Sequence, residues 1–327
     1  MTEAAIDYTG IFEVGGRRYT NKHSLPPEIC RAILKDRYTN TDEESFDESA
    51  STLTAPTQMT VLKRRHPDKL KTFDVIDKYW QFRGSVSHQI LEDSWHPTMN
   101  SVVEERIYAD VLGRVVSGKL DCFEEPEIRD YKNCMVYKIL LGKKEGYEDW
   151  EAGQNTYAYL LRLKGKTVER LNVWAFIGDW KKSELAKDPQ NYPPASIIKV
   201  PLRLWSFAEQ EMYVKARVQA ILNCEHLSDE ELPPCSKKEM WQRLMDVAIY
   251  KRGSRDRAYR KADTMAEATA IFNEKGLSHT EYEIVERWSG RTRCAEHCDV
   301  SEVCAQNRRL SAAEGKPLAA DLEPCLF

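Results

Sequence analysis

Between residues 75 and 177 the hydrophobic period of the chain changes from helical to strand-like and back, and that alternation leaves few folds open. DVIDKYWQFRGSVSHQILEDSW places Val75, Ile76, Tyr79, Phe82, Val86, Ile90 and Leu91 near helical spacing, with His88 on the same one or two helices. Three β-rich runs follow, SVVEERIYADV, RVVSGKLDCF and EIRDYKNCMVYKI, separated by Leu112-Gly113 and by the turn-forming residues 124–127. Turn residues between β-rich runs predict an antiparallel meander. EDWEAGQNTYAYLLRLKG reads as a helix with Trp150, Tyr157, Leu160 and Leu161 as its stripe and Gly165 at its end, and TVERLNVWAFIGDW reads as a strand. After QNYPPAS, a long amphipathic helix over about 202–224 closes the core. The expected class is α/β, a mixed β-sheet flanked by helices.

The flanks read differently. Residues 1–50 form an N-terminal extension with a hairpin-like IFEVGGRRYT, a Pro-Pro break and an acidic run, TDEESFDES, expected as a solvated loop. Residues 226–312 read as a separate C-terminal module bearing a cysteine cluster, and 313–327 as a tail. No stretch approaches the ~18–20 apolar residues of a membrane span. The start, MTEAAIDYTG, lacks the basic and apolar regions of a secretory signal, so a cytoplasmic protein is expected. A net charge of −4 argues against an obligate nucleic-acid coat protein, although a local basic path suffices for an enzyme acting on DNA. Nine cysteines, an odd number, point to thiols or metal ligands rather than disulfides.

The chemistry concentrates in GKLDCFEEPEIRDYK. Asp121 falls toward the end of one expected strand and Asp130 toward the end of the next, so their carboxylates can converge at one hairpin edge. Two carboxylates, a carbonyl and a substrate phosphate are enough to hold Mg²⁺ or Mn²⁺. Lys132 lies two residues past Asp130 and so on the same strand face, where an ammonium can orient metal-bound water and offset charge on a phosphorane-like transition state.

These residues resemble the motifs of the PD-(D/E)XK nuclease superfamily, in the RecB/Cas4-like branch that includes phage-encoded exonucleases. Gly84-x-x-x-His88 is similar to the first motif, whose His is a metal ligand or its neighbour. Glu104 in VEERI is similar to the acid preceding the catalytic hairpin, with Glu105 as the alternative. Gly118-x-x-Asp121 and Asp130-Tyr131-Lys132 correspond to the next two motifs. Gln154 and Tyr157 approximate a following Gln-x-x-x-Tyr motif but are separated by two residues rather than three, and Leu120 stands where Pro often precedes the Asp. The resemblance covers about residues 51–225 and implies a restriction-endonuclease-like core. It implies a Mg²⁺- or Mn²⁺-dependent deoxyribonuclease, an exonuclease acting in DNA repair or recombination, with DNA and a single-strand annealing protein as partners. Asp121, Asp130 and His88 would hold the metal, Lys132 and Glu104 complete the catalytic set, and Gln154 and Tyr157 support it. A DNA-binding or assembly component that keeps this fold without cutting is the competing reading.

Cys294, Cys298 and Cys304 have three and five residues between them, and Cys235 stands upstream in the same module. Four thiolates can hold Zn²⁺ or an iron–sulfur cluster. Some RecB-like nucleases carry a 4Fe–4S cluster on three C-terminal cysteines and one distant cysteine, and the resemblance therefore favours that group over zinc. Cys30 competes with Cys235 as the fourth ligand, and His297 is a further zinc donor. For DNA, Lys251, Arg252, Arg255, Arg257, Arg260 and Lys261 place six positive charges in eleven residues, and Arg64, Arg65 and Lys69 form a second group. A solvated face explains either run equally well. Trp80, Trp95 and Trp150 are candidates for stacking on unpaired bases, with core packing the expectation for most.

Overall fold

The computed structural model describes residues 6–35, 45–96, 101–254 and 256–314. The chain divides into two compact units, Met1–Leu227 and Ser228–Phe327. The fold is mixed α/β, with several sheets flanked by helices. Among the described residues no helix is long and apolar enough to cross a membrane.

The first unit opens on an antiparallel hairpin, β1 (Ile11–Val14) and β2 (Arg17–Thr20). Gly15 and Gly16 form its turn at φ 59° and 71°, the left-handed pair that a two-residue hairpin needs. α1 (Pro27–Leu34) buries Cys30 and Ile33 with Tyr8, Phe12 and Tyr19, and the Cys30 thiol lies 3.6 Å from the Leu25 carbonyl oxygen. β3 (Glu48–Ser49), α2 (Ala50–Thr54), α3 (Thr57–Arg65), β4 (Phe73–Asp74) and α4 (Tyr79–Asp93) follow.

Two expectations fail in this stretch. The acidic run is not all loop: residues 41–44 lie outside the described residues, but Glu48 is a strand residue only 2% exposed. Arg64 explains why a carboxylate tolerates that burial, since its Nη1 and Nη2 donate to the two Glu48 oxygens at 2.8 and 2.6 Å. Arg64→Ala would strand the buried charge. The expected loss is about 3 kcal/mol, the low end for breaking a buried pair because Arg64 is itself 44% exposed. A denaturant midpoint equal to that of the parent would contradict it. The second failure is α4, whose buried residue is His88, while Tyr79, Val86 and Ile90 of the expected apolar stripe are exposed.

The β-rich region is not a plain meander. SVVEERIYADV breaks into β5 (Ser101–Val103) and β6 (Arg106–Val111), and RVVSGKLDCF into β7 (Arg114–Lys119) and β8 (Cys122–Glu124). β6 and β7 pair in a three-stranded sheet of order β3-β7-β6. β5 and β8 instead join a five-stranded sheet with β9 (Glu127–Cys134), β10 (Arg170–Ile177) and β11 (Ile197–Leu202), in the order β11-β10-β9-β8-β5. Backbone hydrogen bonds carry the ribbon across the break, from Glu104 N to Asp121 O at 3.3 Å and from Leu120 N to Glu105 O at 3.1 Å. The two-stranded ribbon thus bends at residues 104–105 and 120–121 as it passes from one sheet to the other.

β9 lies antiparallel to β8 and parallel to β10, which the chain reaches through α5 (Val136–Glu145) and α6 (Glu148–Leu163). The strand expected through MVYKI therefore ends at Cys134. A short apolar run fits either period, and burial of Val136 and Ile139 with Trp150 and Val173 decides for helix. After α7 (Lys182–Lys187) and β11, α8 (Phe207–Cys224) starts later than the expected residue 202, at a capping box. There Ser206 accepts from Glu209 N at 3.2 Å, and the Glu209 carboxylate accepts from Ser206 N at 2.7 Å. α6 and α8 bury Leu160, Leu161, Val214 and Val218 with Phe123, Ile128 and Leu171 of the sheet.

In the second unit β12 (Leu244–Lys251), β13 (Arg260–Ala262) and β14 (Tyr282–Trp288) pair in the order β13-β12-β14. α9 (Met265–Glu274), capped by Thr264, buries Ala268 with Val247 and Ala262, and α10 (Ala305–Ala313) ends the described chain's helices. The basic run falls on the β12–β13 connection and strand ends, with Arg255 outside the described residues.

Candidate active site

The bend in the ribbon brings two carboxylates to one point. Asp121 sits between β7 and β8, and Glu104 between β5 and β6 at φ 51°, a left-handed conformation that costs a residue with a side chain about 1–3 kcal/mol. His88 approaches from α4. Its Nδ1 is 3.3 Å from Asp121 Oδ1 and 3.5 Å from Glu104 Oε1, yet has hydrogen-bond geometry to neither. Its Nε2 is 3.0 Å from the Tyr131 carbonyl oxygen, which can only accept, so Nε2 carries a hydrogen. One donor atom from each of His88, Glu104 and Asp121 lies within 4.8 Å of the others. That is a compact nitrogen-and-oxygen set open to a divalent cation, with the far imidazole nitrogen fixed by a backbone carbonyl as metal-bound histidines commonly are.

Without a cation the cluster balances itself with a proton. Burial opposes the His88 imidazolium, but the facing Asp121 and Glu104 carboxylates outweigh it and raise its pKa from 6.5 to about 10. Burial likewise opposes charge on Asp121 and Glu104, and the imidazolium, with Lys132 and Lys119 respectively, still holds both below the ordinary carboxylate range. The signs follow. The His88 contribution to stability is complete below pH 6.5 and is lost as pH rises through about 10, whereas that of the carboxylates is lost as pH falls through their depressed values. A cation at Nδ1 must displace the imidazolium proton. Near pH 7, Mn²⁺ binding is expected to release about one proton and to tighten as pH rises. Calorimetric titration in two buffers of different ionisation heat reads that number, and zero release would remove His88 from the ligand set.

Asp130 and Lys132 share one face of β9, as the period of two requires, and Lys132 Nζ lies 2.9 and 2.7 Å from the two Asp130 oxygens. Burial pushes Asp130 up to about 6 against the pull of that ammonium. Burial would lower Lys132, but Asp130 and Asp121 hold it above the usual lysine range. Lys132 therefore stays charged at neutral pH. Between them, the Tyr131 backbone is a clamp: its N–H donates to Asp121 Oδ2 at 2.8 Å while its carbonyl accepts from His88.

A cleft of about 570 Å³ opens on this cluster, lined among others by Trp80, Gly84, His88, Glu104, Asp121 and Lys132. Tyr157 also lines it, half-buried over Gly118. A Cβ at residue 118 would stand 2.7 Å from the Tyr157 ring, which explains the glycine. Gln154 is buried with its Oε1 unpartnered and is not among the cleft residues. Glu105, the alternative to Glu104, is exposed. The compact set groups Glu104 with His88 and Asp121, and Asp130, expected beside them as a ligand, lines the same cleft and pairs with Lys132. Sequence reasoning missed Lys119, whose Nζ is 3.2 Å from Glu104 Oε2, and Phe46 and Arg106 in the cleft. Lys119 and Arg106 flank a bend that carries no residue-type signature, and Phe46 lies within the acidic run expected as loop.

Other candidates have structural duties. Arg64 holds Glu48, and Arg65 donates to the Cys224 carbonyl at 2.7 Å. Trp150 is core, stacked on Tyr147, and Trp95 is half-buried. In the second unit burial, then Glu239 and the neighbouring Cys304, Cys298 and Cys294, push the Cys235 thiol up to about 12. Burial, with Cys294, Cys304 and Asp299, raises Cys298 to about 11 against the pull of the Val300 N–H, and Arg293 faces Cys235, Cys298 and Cys294. Cys235 thus lies within electrostatic reach of Cys294, Cys298 and Cys304, Cys30 packs with Tyr8, Phe12 and Tyr19 of the first unit, and His297 is an exposed residue against Trp241.

No protein-family model matches the chain, and no curated protein does. Among solved structures it is similar to one described as the crystal structure of SSO0001, with a TM-score of 0.39 and 12% identity over 59% of this chain and 84% of that one. So loose a likeness carries no inference about fold or function.

Proposed function

We propose that the chain is a metal-dependent DNA nuclease with a PD-(D/E)XK core over residues 51–225. The observation that carries this reading is the set of His88, Glu104 and Asp121 donors within 4.8 Å, beside the Asp130–Lys132 pair, in an open cleft. The orphaned His88 Nδ1 and two carboxylates fit Mg²⁺ or Mn²⁺. Such a cation, when bound, supplies a Lewis acid for the phosphate and an acidified water. Asp121 and Glu104 would fix it, His88 would complete the set after losing its proton, and Asp130 would face the reacting water. Lys132, held above the usual lysine range by Asp130 and Asp121, would offset negative charge building on the phosphate. The Tyr131 clamp holds His88 and Asp121 in register through these steps.

By resemblance, the activity is that of an exonuclease in DNA repair or recombination, working with a single-strand annealing protein. Incubation of the purified protein with linear and circular DNA, with Mg²⁺, Mn²⁺ or EDTA, tests the reading. Metal-dependent loss of linear DNA alone would indicate an exonuclease, and loss of both an endonuclease. No degradation with either metal would refute the nuclease and leave a DNA-binding component. For the second unit we propose a 4Fe–4S cluster on Cys235, Cys294, Cys298 and Cys304. Burial and the mutual repulsion their thiolates would feel keep Cys235, Cys294 and Cys298 protonated, and a bound cationic cluster would offset that repulsion beside Arg293. Zinc at the same residues would leave the protein colourless.

A further inference from the structure

The face of α4 that carries His88 toward the cleft also carries Gly84 and Trp80, at successive intervals of four residues. Trp80 is 44% exposed and stands roughly 12 Å from His88 along the helix. Gly84 lies between them, and a Cβ there would meet nothing within 4 Å. Internal packing therefore does not demand this glycine, and a bare position in mid-helix sacrifices helix stability. It leaves the cleft floor open between the exposed indole and the acid cluster.

Both exposed rings in the cleft are backed by arginine. The Arg83 guanidinium lies 4.7 Å from the Trp80 ring centroid, and Arg106 lies 4.7 Å from that of Phe46, which is 41% exposed. Arg83 is itself seated on Gly178, where a Cβ would come within 2.8 Å of its Nη1. Cationic groups beside exposed aromatic faces are the equipment for unpaired bases on a phosphate backbone: the rings stack, the arginines meet phosphate, and no base identity is read. A cleft of about 570 Å³ encloses a ligand of small-molecule size, which suits a few nucleotides of one strand better than a stacked duplex.

We propose that Trp80, with Phe46 across the same cleft, is a base-stacking platform that passes an unpaired DNA strand over Gly84 to the acid cluster, making single strands or frayed ends the substrate. The choice of ligand rests on the nuclease reading, but its test does not require cleavage. Binding of fluorescent oligo(dT) and of a blunt duplex is measured by anisotropy in Ca²⁺, for the parent, Trp80→Ala, Trp80→Phe and Gly84→Leu. Trp80→Ala is expected to weaken oligo(dT) binding about tenfold and duplex binding less than about twofold, with Trp80→Phe restoring most of the loss. Gly84→Leu should block oligo(dT) with an unchanged or raised melting temperature. Parental oligo(dT) affinity in Trp80→Ala or in folded Gly84→Leu, or an equal loss on duplex, would overturn the platform. If the parent binds oligo(dT) through Trp80 but degrades no DNA with Mg²⁺ or Mn²⁺, the nuclease reading fails and the platform stands.

Discussion

Asp121→Asn is expected to lower metal-dependent DNA cleavage by at least about 10²–10³-fold while leaving the fold intact. The substitution keeps the size of the side chain and an amide oxygen able to accept the Tyr131 N–H that Oδ2 now accepts at 2.8 Å. What it removes is charge, at the residue that pairs with His88 and shares the donor set with Glu104. Mn²⁺ affinity should fall with activity, and in the metal-free protein His88 should lose much of its rise toward about 10. Lys132→Ala should behave differently. It touches Asp130 rather than the donor set, so cleavage should fall comparably while Mn²⁺ is still bound. Cleavage rates, calorimetric titration with Mn²⁺ and the His88 titration followed by NMR separate the two. Parental cleavage by Asp121→Asn would dispose of the site altogether.

Cys298→Ser is expected to abolish the metal binding proposed for the second unit and to unfold the segments around it. Those segments, residues 228–243 and 290–304, contain little regular structure beyond a π-helical turn, Arg293–His297. Side-chain bonds tie them, notably Gln306 to both the N–H and carbonyl of Cys235 at 2.8 Å. One apolar cluster of this unit, Val247, Ala262 and Ala268, belongs to the β-sheet and α9, and the cysteine-bearing segments bury only scattered apolar residues such as Leu232, Met240 and Val300 among those described. A metal bound by four thiolates can contribute on the order of 10 kcal/mol to such a module. The parent should contain stoichiometric iron, or zinc, and resist proteolysis between 228 and 314, and the variant should do neither. Metal-free parent protein with the same protease resistance as Cys298→Ser would sink the assignment.

How far the sequence reached depends on what each residue reports. The hairpin at Gly15-Gly16 and the helix ending at Gly165 were legible because their signals are local: turn stereochemistry and a left-handed stop. The helix Val136–Glu145 was not, because a short apolar run satisfies either period until its neighbours choose. The exposed stripe of α4 misled for a related reason. Helical spacing at Tyr79, Val86 and Ile90 marks a face, and cannot say whether that face is buried. The buried Glu48 was hidden in an acidic run whose solvated appearance Arg64 cancels from helix α3.

For the candidate site, the sequence alone determined that Asp130 and Lys132 share a strand face, since alternation along a strand is fixed by backbone geometry, and that Asp121 lies one turn away. Only the tertiary structure decided that Glu104 meets His88 and Asp121. Local sequence sets which way successive side chains point along a strand. Where a ribbon leaves one sheet for another is set by how both sheets pack on α6 and α8, and Glu104 and Asp121 meet because both strands bend at the same level.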